Sequence, residues 1–147
     1  MEWLVFVALV FLAGVSGAVF KPGPWYESLK KPSWTPPNGM FPIVWTVLYI
    51  LIAWAGVLVW RADGGMWALM AWGAQWIFNT AWSWLFFGRQ RMDQALIDVC
   101  LLWLAIVVFI VTAWPVSQLA SLLFLPYLAW VSTAALLNRT VWRLNTA

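Results

Sequence analysis

Five long runs almost free of charge dominate the chain, at residues 3–20, 41–60, 66–87, 92–113 and 116–137. Each is close to the ~20 residues that a helix needs to cross a hydrocarbon core of ~30 Å. A polypeptide in lipid must satisfy every backbone N–H and C=O internally, so it spans as a helix or a closed barrel. The runs are continuously apolar and lack the alternation of barrel strands. They predict an all-α integral membrane protein, a bundle of five transmembrane helices. The runs use most of the 147 residues. A single domain, 1–147, is therefore expected, with no soluble domain and no tandem repeat. The first run resembles a secretory leader. Its start, Met1-Glu2, lacks a positive charge, and no small-x-small cleavage site is clear, so a retained span is expected.

Composition narrows the chemistry. Hydrophobic residues make up 65% of the chain and charged residues 9%, and there is no His and a single Cys, Cys100. This excludes an intrachain disulfide, histidine-ligated haem and nucleophilic sites that need a His base. It also predicts no metal site and no required cofactor.

Lys and Arg orient the spans. One side of a five-span chain holds only Arg61, whereas the other holds Lys21, Lys30, Lys31, Arg89, Arg91, Arg139 and Arg143. The positive-inside rule predicts a cytoplasmic first loop, third loop and C-terminus, with the N-terminus outside. The expected location is the inner cell membrane.

The residues able to bind something gather in the cytoplasmic half. Gln75, Asn79, Trp82 and Phe86 share a face of the third run. Asn79 lies roughly 12 Å from the cytoplasmic end at 1.5 Å per residue. Tyr127, Trp130 and Ala134 share a face of the fifth run, and Trp45 and Tyr49 lie one turn apart in the second. Aromatic walls with one or two amides and a small residue describe a pocket for a flat apolar ligand. Simpler roles compete. Trp3, Trp60, Trp67, Trp114 and Trp142 read as interfacial anchors, and Trp54, Trp76 and Trp103 as packing or lipid contacts. Gln75 and Asn79 could serve as interhelical glue. Asp98 is costly at depth unless it is protonated or paired, with Arg91 or Arg89 as partners. Cys100 reads as a small apolar residue. Pro126 predicts a kink in the fifth span. Ala13/Gly17 and Gly14/Ala18 form small-xxx-small pairs that could pack helices within or between chains.

Above this cluster lies the first loop, with Pro22, Pro24, Pro32, Pro36, Pro37 and Pro42 among the chain's eight prolines. Proline fixes φ and lowers the entropy lost on ordering. The loop is expected to act as a lid, with Trp25, Tyr26 and Trp34 buried and Lys30 and Lys31 in solvent or reaching an acidic ligand group.

The stretches WYESLKKPSWTPPNGMFPIVWTVLY, QWIFNTAWSWLFFG and LFLPYLAWVSTAALLN resemble the tryptophan-rich sensory protein / translocator protein family, once called peripheral benzodiazepine receptors. The resemblance covers the whole chain. It implies a five-helix bundle, a homodimer, and binding of tetrapyrroles such as protoporphyrin IX and of flat hydrophobic drug-like ligands. It places the family's pocket residues on Trp45, Asn79, Trp130 and Ala134, its loop aromatics on Trp25, Tyr26 and Trp34, and a site-lining Cys on Cys100. The chain departs from the family twice. Ser83-Trp84 stands where many members have a Pro pair. Arg139 stands where animal members carry the Tyr of a sterol motif, which argues against sterol binding through it. The function implied is a membrane receptor, sensor or carrier for tetrapyrroles, with no nucleic acid partner. The alternatives are light-dependent porphyrin degradation, with Trp45 and Trp130 as candidate catalytic residues, and small-molecule transport.

Overall fold

A computed structural model describes residues 2–146. It is all-helical: α1 (Glu2–Val19), α2 (Pro24–Ser28), α3 (Met40–Arg61), α4 (Met66–Ser83), α5 (Met92–Ala113), α6 (Gln118–Leu123) and α7 (Leu125–Asn145). Among the described residues, α1, α3, α5 and the combined α6–α7 segment are long and apolar enough to cross a membrane. The expected third span forms α4. Its inward face carries buried Gln75 and Asn79, and α4 falls outside that set.

Two expected boundaries change. The third run leaves the α-helix at Ser83 and continues as a π-turn, Trp84–Gly88. There the Arg89 N–H reaches back to the Trp84 carbonyl at 2.7 Å. The wider turn takes in one more residue than an α-turn. The fifth run is interrupted at Phe124, two residues before Pro126, so that α6 and α7 form one long segment with a break in it. Pro126 lies in the first turn of α7, where its missing N–H costs nothing. The Phe124 N–H instead bonds to Ser121 at 3.1 Å, closing α6 with a tight turn. Helix α7 then runs eight residues past the expected end, to Asn145.

Helix α4 packs on α5, α5 on α7, and α1 on both α3 and α4. The ring closes between α3 and α6. The end around α6 is tightly filled. Phe109 and Phe124 stack at 4.0 Å, and Phe124 meets Tyr127 edge-on at 5.3 Å. Phe6 of α1 sits edge-on to Trp72 at 4.9 Å. The Trp72 indole donates to the Ile52 carbonyl at 2.9 Å, and Trp76 donates to Leu9 at 2.7 Å. These bonds tie three helices together with indole donors rather than charges. Trp3, Trp60, Trp67 and Trp114 are exposed, as interfacial anchors would be.

Gly56 makes the close approach of α1 to α3 possible. A Cβ there would lie 2.5 Å from the Phe6 ring and 2.9 Å from the Trp72 indole nitrogen. Gly56→Ala is expected to destabilise the protein by about 1–3 kcal/mol through overpacking. Thermal unfolding in detergent should show a lower midpoint, whereas Gly73→Ala, with open space at its Cβ, should not.

Candidate functional site

The opposite end of the bundle is not filled. A cavity of about 470 Å³ lies among α1, α3, α4, α5 and α7. Its aromatic wall comes from Phe41, Trp45, Tyr49, Trp82 and Phe87. Trp45 stacks on Tyr49 at 5.5 Å, and Trp82 on Phe86 at 5.2 Å. Val99, Leu102, Val131 and Ala134 add aliphatic surface from α5 and α7.

A hydrogen-bonded chain forms the polar side. The Tyr49 hydroxyl donates to Asn79 Oδ1 at 3.1 Å, Asn79 Nδ2 donates to Tyr127 Oη at 2.7 Å, and Tyr127 donates to Gln75 Oε1 at 2.8 Å. Gln75, Asn79 and Tyr127 are all buried. The chain joins α3, α4 and α7, so Asn79 is both glue and cavity wall. A second buried amide, Asn138, accepts the Trp82 indole N–H at 3.1 Å and donates to the Met92 carbonyl at 2.9 Å. It fixes the Trp82 ring in the wall. Asn138 falls one residue beyond the expected end of the fifth span, so counting by run length missed it. Its signal was the spacing Val131-Ala134-Asn138, which continues the inward face of α7.

Trp45, Tyr49, Asn79, Trp82 and Ala134 border the cavity. Tyr127 lies behind Asn79. Trp130 stands beside the cavity, edge-on to Trp45 at 6.5 Å and to Phe41 at 5.7 Å. Its indole N–H is buried without a partner among the described residues. Phe86 and Tyr26 instead line a small void against Asn138. Cys100 is exposed on the outer face of α5 and does not border the cavity. Its neighbour Val99 points inward, and one residue of helix turns a side chain by about 100°. Asp98 is buried and does not pair with Arg91, whose guanidinium binds Asp93 at 2.8 Å. Asp98 Oδ2 has no hydrogen-bond partner among the described residues.

Gly14, Gly17 and Ala18 of α1 also border the cavity. A Cβ on Gly14 would lie 3.5 Å from the Tyr49 ring. The small residues considered for helix packing thus leave space inside this chain.

The first loop differs from the expected lid in its aromatics. Tyr26 is buried against Phe86 and Phe87, with ring centroids 6.1 and 5.4 Å away, and Trp25 meets Phe86 at 5.9 Å. Trp34 is 48% exposed, and none of the three borders the main cavity. The loop and its flanks supply Phe20, Lys21, Pro22 and Asn38 instead. Helix α2 turns Tyr26 into the bundle end and leaves Trp34 on the far side of the loop. The Lys31 ammonium binds the Tyr26, Glu27 and Leu29 carbonyls at 2.8, 3.4 and 3.3 Å and lies over the Tyr26 ring. Asn145 clamps both backbone groups of Lys30, at 3.0 and 2.9 Å. Glu27 accepts from Asn38 across the loop.

The fold and site therefore define a class: a multi-pass, all-helical membrane protein with a deep aromatic cavity at one end of its bundle. The sequence profile of the TspO/MBR family matches residues 6–143. Protein CrtK of Rhodobacter capsulatus is 43% identical over 90% of this chain and 86% of its own length. The tryptophan-rich sensory protein of Cereibacter sphaeroides is 40% identical over 99% and 94%. The translocator protein of Homo sapiens is 39% identical over 82% and 75%. The chain belongs to the TspO/MBR family.

Burial, helped by the Glu27 charge, pushes the Tyr26 phenol up to about 12. Its ionisation in the unfolded chain falls near 10. The stabilising effect of the buried neutral phenol is thus complete below pH 10 and is lost as pH rises towards 12. Exchange protection in residues 22–31, taken relative to the intrinsic base-catalysed rate at each pH, should fall across that window. In Tyr26→Phe the alkaline step should disappear.

Proposed function

We propose that this protein is a membrane receptor or carrier that binds tetrapyrroles, and other flat hydrophobic ligands, in the cavity beneath its first loop. The supporting observation is the cavity itself, with Trp45, Tyr49 and Trp82 as ring-bearing walls and Asn79 fixed between two tyrosines. Pockets of roughly 300–1,000 Å³ with apolar walls and few polar groups suit ligands of this kind. The names of the tryptophan-rich sensory protein and of the translocator protein favour a sensory or carrier role. In this proposal α1, α3, α4, α5 and α6–α7 all cross the bilayer. The charge split puts the cavity end and the first loop, acting as its cover, on the cytoplasmic side of the inner membrane.

Titration with protoporphyrin IX should quench tryptophan fluorescence saturably. Asn79→Ala should weaken binding roughly tenfold, the effect of about 1.4 kcal/mol. Trp45→Leu, which leaves the amide–tyrosine chain in place, should also weaken it. Unchanged affinity in both variants, with thermal unfolding showing both folded, would refute the assignment.

The ring contacts favour a second reading, light-dependent breakdown of bound porphyrin. Trp45 meets Tyr49, Tyr127 and Trp130, which sets four oxidisable rings side by side, two of them bordering the cavity. Illumination of the aerobic complex should then yield a new absorbing product that Trp45→Phe suppresses. Bleaching no different from that of free porphyrin in detergent would count against this reading.

A further inference from the structure

Three of the polar side chains that border the cavity, Thr46, Tyr49 and Asn79, already have partners. Asn79 gives its carbonyl to Tyr49 and its amide to Tyr127. The Thr46 hydroxyl bonds its own helix, at the Pro42 carbonyl. These groups offer a ligand little beyond a hydrogen bond at the edge of a satisfied chain. The cavity mouth is different. Lys21, two residues past the end of α1, is the one charged residue bordering the cavity among the described residues. Among the described residues it forms no hydrogen bond or ion pair.

The other cations near this end have partners or do not border the cavity. The Lys31 ammonium is spent on three loop carbonyls. Arg89 lies over the Trp84 ring at 5.3 Å, and Arg91 is paired with Asp93. Lys30, expected in solvent or on an acidic ligand group, is exposed and does not border the cavity. Glu27, the nearby loop carboxylate, does not border it either and accepts from Asn38. An exposed lysine without a hydrogen bond or ion pair among the described residues thus borders an apolar, aromatic-walled cavity at the end of the bundle where the chain leaves α1. Low-dielectric walls beside such a charge strengthen its pull on an anion relative to bulk water.

We propose that Lys21 is a specificity-determining residue that selects ligands with an acidic group at one end of an apolar body. The body lies against Phe41, Trp45 and Trp82, and the carboxylate or phosphate meets the Lys21 ammonium at the mouth. This rests on the cavity being a ligand site, as proposed above, and adds the chemical class of the ligand. Two sources could supply the acid: the carboxylates of a tetrapyrrole or the phosphate of an anionic phospholipid.

The test compares protoporphyrin IX with its dimethyl ester, which keeps the ring and lacks the charge. Binding is measured by tryptophan quenching in nanodiscs of neutral phosphatidylcholine, on wild type, Lys21→Gln, Lys21→Glu and the control Lys30→Gln. An exposed ion pair is worth up to about 1 kcal/mol, or about fivefold in affinity. Lys21→Gln should lower affinity for the diacid about three- to fivefold and leave the ester unchanged. Lys21→Glu should lower diacid affinity further, and Lys30→Gln should change neither. Diacid binding to wild type should also weaken with salt, and to Lys21→Gln much less so. In discs containing phosphatidylglycerol, competition lost in Lys21→Gln would identify a lipid phosphate as a second user of the same contact. Equal effects of Lys21→Gln on acid and ester, or none on either, would overturn the role of Lys21 and leave the pocket reading standing. Failure of both porphyrins to bind wild type would overturn the pocket reading and this inference with it.

Discussion

The Asn79 amide is the contact on which the rest of the cavity end depends. A buried amide in an apolar bundle is costly unless its donors and acceptor are used. Here Tyr49 and Tyr127 use them from two other helices, and Gln75 extends the chain by one more bond. The four side chains set how far α3, α4 and α7 stand apart at this end. At the α6 end the same task falls to stacked rings and indole–carbonyl bonds, which permit closer packing. Directional polar contacts hold helices at a fixed distance without filling the space between them. At the hollow end, Gly14 and Gly17 of α1 also leave space that side chains would fill.

Much of this was legible in the sequence, because in lipid the helix is nearly the only solution for a long apolar run. The runs at 41–60 and 92–113 matched α3 and α5 within a residue. Shared-face spacing also brought out Trp45, Tyr49, Asn79, Trp82 and Ala134, since a depth and an angle suffice to place residues on straight helices. It failed where the backbone leaves the straight helix. The break at Phe124 and the π-turn at Trp84 come from hydrogen bonds that shift partner by one or two residues, and a sliding count along the sequence cannot register them. Cys100 shows a different limit. It has the right depth, but depth without angle does not distinguish it from inward-facing Val99.

The loop shows how proline-rich sequence and tertiary bonding divide the work. Its prolines restrict the chain, but they do not say which side faces down. That choice comes from Tyr26 entering the void beside Asn138, from Lys31 closing over three carbonyls, and from Asn145 holding Lys30. Trp34, the most conspicuous aromatic in the loop sequence, is left outside because α2 has already used the inward direction.

The π-turn at Trp84–Gly88 carries a consequence of its own. Its added residue lets consecutive side chains, Phe86 and Phe87, both meet Tyr26 and Trp82. In a regular α-helix, neighbours in sequence diverge by about 100° and could not share that direction so closely. The information here is stored in a count of residues rather than in their identity. Another large ring could replace either phenylalanine with modest loss. Removing any one residue of the five would tighten the turn, rotate the downstream chain and pull one ring out of the cluster. Insertions and deletions, rather than exchanges of one side chain for another, are the changes this segment cannot absorb.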